Sequence, residues 1–355
     1  MTQNLKEEQQ EITAAELEKI LKEKGIAVKA DTIKEALPKI ESAIEHGNKL
    51  KKKAEDIQKL ILPSITKQNR IAKAVYDARK QGELLGLKLN SFPEIQRALE
   101  GLQDGFYLIG ADTNMGKSAL SHNLCLDVLR SNPDAIALYF SLDDSAEDIL
   151  TRMRANIAEV EINQVKAPWK PGNKVALDKA YKTLDDLENR LFILDQEQVA
   201  TFENLTHFME EAIVKNKGKK LVVFIDAILN LDVEEDPLKK TIRELNITRA
   251  NKLKALVKKY SLPLICTVEL KKRKDNDERP TLGDIMETGK YAYNANVVML
   301  LHATAVDMTV EETKVELIFA KNKLSHFKGS LALTFYRKRA RIEEQTYDTR
   351  PIGKL

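Results

Sequence analysis

From about residue 86 onward, short apolar runs alternate with longer stretches whose apolar residues recur at helical spacing. A short run rich in β-branched and aromatic residues is typical of a buried strand, and repeated alternation with helices is typical of a parallel sheet covered on both faces. Six runs of this kind are predicted as strands: 106–110, 136–142, 191–195, 221–226, 262–268 and 296–301. The pattern therefore predicts an α/β fold with a mainly parallel sheet.

Three further apolar runs follow near the end of the chain: 314–320, 331–336 and 339–343. The connections between them are too short for the crossover that joins parallel strands. We therefore expect these runs to extend one edge of the sheet as antiparallel strands.

Residues 1–85 show another pattern, rich in Glu, Lys, Ala, Leu and Ile and without strand-like alternation. Apolar positions recur at helical spacing over 13–24, 30–46, 49–62 and 66–82, with glycines and prolines between these segments. We expect an all-helical N-terminal region and linker over 1–85, and one α/β domain over 86–355. The boundary is expected between residues 84 and 92.

The composition is that of a soluble chain with a large core, since 43% of its 355 residues are hydrophobic and 31% are charged. The formal net charge is only +3, so any nucleic-acid surface must come from local clusters of charge. Cys125 and Cys266 lie in apolar segments and are expected to be buried, reduced thiols. The polar start and the lack of an apolar run near roughly 20 residues predict a cytoplasmic protein without membrane contact.

Residues 111–118 read Ala-Asp-Thr-Asn-Met-Gly-Lys-Ser and follow the first predicted strand directly. This is a relaxed P-loop, with Ala111 where the strict pattern has Gly, and its main-chain N–H groups and helix dipole favour phosphate. Lys117 would contact the β- and γ-phosphates, and the Ser118 hydroxyl would bind Mg²⁺. The sequence thus predicts ATP and Mg²⁺ as cofactors. The predicted nucleotide-binding residues in this segment are Asn114, Met115, Gly116, Lys117, Ser118 and Ala119.

Aspartates follow two other predicted strands at their carboxyl ends, where the ligands of α/β proteins bind. Asp226 ends the strand 221–226 and is predicted to support Mg²⁺. Asp143 follows the strand 136–142 and is the candidate general base towards the attacking water, with Asp144 as second candidate. Each aspartate could instead cap a helix, and that alternative remains open at this point.

Several segments together resemble the RecA-type motor domain of DnaB-type replicative helicases. The agreement in order and spacing covers roughly residues 90–345, whereas residues 1–85 do not resemble the usual N-terminal collar of that family. The segments are the P-loop, Tyr-Phe-Ser-Leu-Asp-Asp at 139–144, Phe-Ile-Asp-Ala-Ile-Leu at 224–229, Pro-Leu-Ile-Cys-Thr-Val-Glu-Leu at 263–270, the DNA-loop segment 279–289 and the late strand 318–323.

The resemblance implies roles for further residues. Asp143 stands where the family has its catalytic Glu, and Glu269 stands where a Gln senses the γ-phosphate and couples it to the DNA loop. Lys321 and Lys323 stand where a Lys-x-Arg pair reaches the γ-phosphate of a neighbouring subunit. Because such a finger works only across an interface, the resemblance implies a homo-oligomeric ring, expected to be a hexamer.

Four positions depart from the family pattern. Asp143 is one methylene shorter than Glu, and Glu269 is an anion where a neutral amide would meet a phosphate. Lys323 replaces a bidentate guanidinium by a point charge. Met286 stands where the DNA loop carries an Arg. Together these departures indicate a slow ATPase or an altered grip on DNA.

Two loops are expected to face the centre of the ring, 228–240 and 270–289. The positive charge of the second loop favours the phosphates of single-stranded DNA, and the lack of aromatic residues before Tyr291 predicts weak sequence preference. A solvated surface loop is the alternative. The basic stretches 215–220 and 337–341 are interpreted as surface-turn and strand-edge charges. The predicted nucleic-acid contacts are Lys271, Lys272, Arg273, Lys274, Glu287 and Gly289.

The sequence thus predicts an ATP-dependent, ring-forming DNA helicase of the DnaB replicative type, which translocates on single-stranded DNA using ATP hydrolysed at subunit interfaces. The alternative is a RecA-type ATPase that acts as a nucleotide-dependent assembly switch or scaffold without unwinding DNA. Residues 1–85 are expected to recruit a replication partner.

Overall fold

The computed structural model describes residue 23 and residues 65–170, 173–233, 241–273, 278–286, 289–303 and 310–345. The chain divides into two compact units, Met1–Asp77 and Ala78–Leu355. The helices predicted over 13–24, 30–46 and 49–62 lie outside the described residues except for residue 23. The fourth predicted helix is confirmed as α1 (Ile65–Lys80). The predicted boundary between residues 84 and 92 stays a prediction.

All nine predicted strands are present in one sheet of order β3-β2-β4-β5-β1-β6-β7-β8-β9. Neighbours from β3 to β6 pair in parallel, and β6 to β9 pair antiparallel, so the predicted fold class is confirmed. The last strand begins two residues later than predicted, because Arg337–Arg339 form a 3-10 turn that ends at the left-handed residue Ala340. The strands are β1 (Gly105–Ala111), β2 (Ala135–Ser141), β3 (Leu191–Asp195), β4 (Lys220–Asp226), β5 (Pro263–Glu269), β6 (Val297–His302), β7 (Glu312–Asn322), β8 (Ser330–Tyr336) and β9 (Arg341–Glu344).

Local capping signals set the starts of the longer helices between the strands. Ser145 accepts from the Asp148 N–H at the start of α4, and Thr201 accepts from the Asn204 N–H at the start of α7. Thr241 and Glu244 form a capping box before α8. The helices are α2 (Pro93–Leu99), α3 (Lys117–Ser131), α4 (Ala146–Ala158), α5 (Ile162–Val165), α6 (Lys174–Asp185), α7 (Phe202–Lys215), α8 (Ile242–Tyr260) and α9 (Lys290–Asn294).

The central strand β1 is buried on both faces, which explains its continuous apolar run. Its residues alternate between two hydrophobic clusters. Ile109 belongs to the cluster that contains Leu120 of α3, whereas Leu108 belongs to the cluster that contains Leu253 of α8. Helices therefore cover both faces of the sheet, as predicted, and β1 holds its carboxyl end in a fixed position between β5 and β6.

Cys125 and Cys266 are both buried and unpaired, which confirms the expectation of buried reduced thiols. Burial raises the pKa of each thiol above its usual range. Across the described ranges, every helix is too short or too polar to cross a membrane.

Candidate functional site

The P-loop turn connects the end of β1 to the start of α3. Asn114 and Gly116 take left-handed conformations, with φ of 64° and 93°, and the Met115 N–H donates to the Asp112 carbonyl at 3.2 Å. At Gly116 a glycine is needed for a second reason, because a Cβ there would lie 3.1 Å from the Phe335 ring. The turn and the start of α3 line a cavity of about 440 Å³, which is an arrangement suited to phosphate.

Lys117 lies in this cavity with its side chain only 11% exposed. Its Nζ lies 3.4 Å from Oε1 of Glu269, and the Thr113 hydroxyl donates to the same oxygen at 3.4 Å. Glu269 ends β5 and pairs in register with Ala111. The structure therefore brings the predicted phosphate-binding lysine and the predicted γ-phosphate sensor into direct contact.

Asp226 ends β4 in a buried position beside Ser118, whose hydroxyl donates to Oδ1 at 3.2 Å. Tyr139 donates to Oδ2 at 3.1 Å, and Thr267 also donates to Oδ1. Burial raises the pKa of Asp226, while these donors and the charge of Lys117 oppose the rise. A carboxylate and a hydroxyl at this spacing are oxygen ligands of the kind that Mg²⁺ prefers, so Ser118 and Asp226 fit the predicted metal site.

The two aspartates after β2 differ in their surroundings. Arg152 of α4 binds Asp144 through both guanidinium nitrogens, with Nη2 at 3.0 Å from Oδ1. This hydrogen bonding is the main cause that raises the pKa of Arg152. Asp143 is exposed in the same cavity, and its one described contact is with the Asn230 side chain at 3.5 Å. Since Ser145 caps α4, Asp143 is the carboxylate left open for catalysis.

The two finger lysines lie at the other end of the sheet. The register aligns Asn322 with Val297, and Val297 with Tyr107, four positions before Ala111. The lysines on either side of Asn322 are thus displaced from the P-loop by about 13 Å along the strands. The structure does not bring Lys321 or Lys323 to the P-loop of their own chain.

Lys321 and Lys323 also differ from each other. The Lys321 ammonium donates to the carbonyls of Ala292 at 2.6 Å and Tyr293 at 3.0 Å. Burial, followed by the charges of Lys323 and Lys254, lowers the pKa of Lys321 to about 8. The Lys323 side chain is exposed.

The predicted DNA-binding residues fall into three groups. Lys271 and Lys272 are exposed, and Gly289 precedes α9 as its N-cap. Arg273 is only 7% exposed and forms an ion pair with Asp112 at 2.5 Å. Lys274 and Glu287 lie outside the described residues. In this conformation, Lys271 and Lys272 are therefore the described basic residues of the loop that remain open to a ligand.

Two further residues of the cavity, Phe335 and Arg337, were missed from the sequence. The Arg337 guanidinium donates to the Asn114 carbonyl at 2.5 Å and lies 5.3 Å from the centre of the Phe335 ring. The interpretation of 337–341 as strand-edge charge is therefore wrong for Arg337, which contacts the P-loop. No local signal marked it, because its partner is 223 residues away in the sequence.

Tyr139 and Thr267, which donate to Asp226, were also missed. Thr267 gave a weak signal, since it is a polar residue inside an otherwise apolar strand. Tyr139 gave none, because an aromatic residue is ordinary in a buried strand.

Known proteins match this arrangement in sequence and in structure. The family described as "DnaB-like helicase C terminal domain" matches residues 86–344. The "Replicative DNA helicase DnaB" of one Helicobacter pylori strain is 24% identical over 273 residues, which are 73% of this chain and 54% of that protein. The "Replicative DNA helicase DnaC" of Bacillus subtilis is 24% identical over 280 residues, 76% of this chain and 59% of that protein. The chain thus spans about half the length of these curated relatives.

Two solved structures share the fold. One is an isolated ATPase domain, which has a TM-score of 0.68 at 20% identity and covers 80% of this chain and 100% of that chain. The other is a DnaB-like replicative helicase described together with its interactions with primase. It has a TM-score of 0.65 at 19% identity and covers 89% of this chain and 79% of that one. The family match over residues 86–344 includes the P-loop, Asp143, Asp226 and Glu269, and on that match the chain belongs to the family of DnaB-like helicase C-terminal domains.

Proposed function

We propose that this protein is an ATP-dependent DNA helicase of the DnaB replicative type, which forms a ring and translocates along single-stranded DNA. The observation that carries the proposal is the cavity in which Lys117, Asp143 and Asp226 meet within a chain of this family. These residues provide a phosphate-binding cation, a carboxylate open to solvent and a buried carboxylate beside a hydroxyl, which is the set that nucleotide hydrolysis requires.

In this proposal the P-loop main chain from Asn114 to Ala119 and the Lys117 ammonium bind the phosphates of ATP. Ser118 and Asp226 hold Mg²⁺, which supplies charge neutralisation between the β- and γ-phosphates. Glu269 must release Lys117 when the triphosphate enters, because both bind the same ammonium group. Asp143 orients the attacking water and accepts its proton. The engagement of Asp144 by Arg152 supports this choice between the two aspartates.

The location of Lys321 and Lys323 supports hydrolysis at subunit interfaces. Because both lie at the strand ends remote from the P-loop of their own chain, a contact with a γ-phosphate requires a second copy. The same contact repeated from copy to copy closes a ring if the rotation closes, and we propose a hexamer. Lys323 is the direct contact, whereas Lys321 is fixed by the carbonyls of α9.

Single-stranded DNA is proposed to bind the loop 270–289, with Lys271, Lys272 and Lys274 as phosphate contacts. Residues 1–85 are proposed to bind a replication partner. One of the two structural neighbours is described with its interactions with primase, which supports a partner of that kind. The alternative of an assembly switch without unwinding is not favoured, since the matched relatives are named replicative helicases.

Steady-state ATP hydrolysis with and without single-stranded DNA tests the proposal. We expect strong stimulation by DNA in the wild type and loss of turnover in Lys117→Ala. An equivalent change at the exposed Lys182 should leave turnover unchanged. Unwinding of a forked duplex by the wild type would then separate a helicase from a DNA-stimulated ATPase. ATP binding without a response to DNA would contradict the proposal and support the assembly switch.

A further inference from the structure

The loop that follows β5 is closed at its base by a short two-stranded ladder. Leu270 pairs with Ile285 in an antiparallel bridge, and the Lys271 N–H donates to the Asp284 carbonyl at 2.7 Å. The Met286 N–H donates to the Glu269 carbonyl at 3.1 Å. Both sides of the loop are therefore joined next to the carboxyl end of β5, so a force on Lys271 or Lys272 is transmitted to a defined point.

That point adjoins the first residues of the P-loop. The Leu270 N–H donates to the Ala111 carbonyl at 3.1 Å, which extends the β1–β5 ladder by one residue. Next to it, the Arg273 guanidinium pairs with the Asp112 carboxylate at 2.5 Å and also donates to the Glu278 carbonyl. Arg273 thus connects the far side of the loop to the residue at which the P-loop begins.

The chemistry of the pair makes this connection specific. A guanidinium can bind in two directions at once, whereas a lysine ammonium in its place would lack the rigid planar geometry. Arg273 is 7% exposed and Asp112 is 25% exposed, so water and salt screen the pair only partly. Asp112 also accepts from the Met115 N–H through its carbonyl, so a shift of Asp112 moves the turn that holds the phosphates.

We infer that the Arg273–Asp112 ion pair couples nucleotide at the P-loop to single-stranded DNA on the loop 270–289. Arg273 is then a positioning residue and not a DNA contact, in contrast to its exposed neighbours Lys271 and Lys272. The inference rests on the proposed function, because it requires both ligands. Coupling between two bound ligands is reciprocal, so DNA changes nucleotide affinity by the same factor as nucleotide changes DNA affinity.

The test measures the affinity of the full chain for a fluorescent, non-hydrolysable ATP analogue, with and without an oligo-dT strand. In the wild type, the ratio of the two dissociation constants should depart from one by about tenfold. Arg273→Gln and Asp112→Asn should each bring the ratio close to one. The double variant should lose no more coupling than either single variant, because the two side chains act as one unit.

Arg279→Gln is the matched control. It removes a guanidinium from the same loop, but Arg279 is 71% exposed and pairs with Glu316 instead of the P-loop. Its ratio should equal that of the wild type. Wild-type coupling that persists in Arg273→Gln, or losses that add in the double variant, would overturn the role of the ion pair alone. A wild-type ratio of one would overturn this inference together with a DNA-coupled motor.

Discussion

At the scale of single residues, the contact between Lys117 and Glu269 is the feature that most affects nucleotide binding. The Lys117 ammonium is largely buried and lies 3.4 Å from a carboxylate that is itself about one-third exposed. A triphosphate that enters this cavity must compete with Glu269 for the cation. A neutral amide at residue 269 would not impose this competition.

Glu269→Gln should therefore raise the affinity for ATP by about fivefold, which corresponds to about 1 kcal/mol for a partly exposed ion pair. Equilibrium titration of the nucleotide measures the effect. Glu203→Gln removes the carboxylate from a similarly exposed pair with Lys252 and should leave the affinity unchanged. Weaker binding by Glu269→Gln would show that the carboxylate supports the nucleotide site instead of competing with it.

Lys321 gives the proposed hydrolysis a pH dependence. Its pKa of about 8 results from burial and from the neighbouring charges of Lys323 and Lys254. The ammonium charge is present below that pH and is lost as the pH rises through it. If the charge is needed at the neighbouring γ-phosphate, turnover should fall above about pH 8.

The pH profile of turnover for the wild type and for Lys321→Arg measures this effect. The arginine stays charged across the whole range, so the alkaline fall should disappear in the variant. An unchanged alkaline fall in Lys321→Arg would assign it to another group.

At the scale of elements, helix α3 is joined to β9 through the buried side chain of Asn123. Its amide donates to the carbonyls of Ala119 and Ala340, and its oxygen accepts from the Ile342 N–H at 3.2 Å and from the Asn156 amide at 2.5 Å. One residue of the P-loop helix thus satisfies polar groups of both the last strand and α4.

Asn123→Ala should lower the free energy of unfolding by about 2 kcal/mol, because buried polar partners lose their hydrogen bonds. Denaturant unfolding of the full chain measures the change. Asn216→Ala removes a single hydrogen bond at the partly exposed end of α7 and should have a smaller effect. Equal effects of the two variants would show that the α3–β9 connection adds little stability.

The elements themselves could be predicted well, because each strand is a short apolar run whose burial follows from its composition. β9 was misplaced by two residues, since the basic residues of the 3-10 turn give no sign of where pairing resumes. The contacts of Arg337 and Arg273 with the P-loop could not be predicted. They depend on which strands are neighbours, and periodicity along one strand does not encode that order.

At the scale of the whole molecule, the sheet order separates the P-loop from the proposed finger. Lys323 follows β7 at the strand ends opposite to Lys117, so one chain contains the two halves of two different sites. The fold class and the motifs of the cavity were predictable at this scale. The relation of a cavity to a second copy was predictable only through the resemblance to a family.

Lys323→Ala should lower turnover by about a thousandfold, as loss of a trans-acting cation does in related chemistry, and should leave nucleotide affinity nearly intact. Lys328→Ala changes another exposed lysine of the same connection and should have no effect. Mixing Lys323→Ala with Lys117→Ala should restore part of the activity, because some interfaces then combine two intact halves. Loss of nucleotide binding in Lys323→Ala, or a mixture as inactive as its components, would contradict a finger that acts in trans.

The two cysteines of the chain, Cys125 and Cys266, have a practical consequence. Both are fully buried with raised pKa values, so the folded protein exposes neither thiol, and neither forms the reactive thiolate readily. A maleimide dye should therefore label only a cysteine introduced at the surface, which makes the natural chain a ready background for fluorescence distance measurements. Slow labelling of the unmodified chain would in turn report the rate at which its core opens.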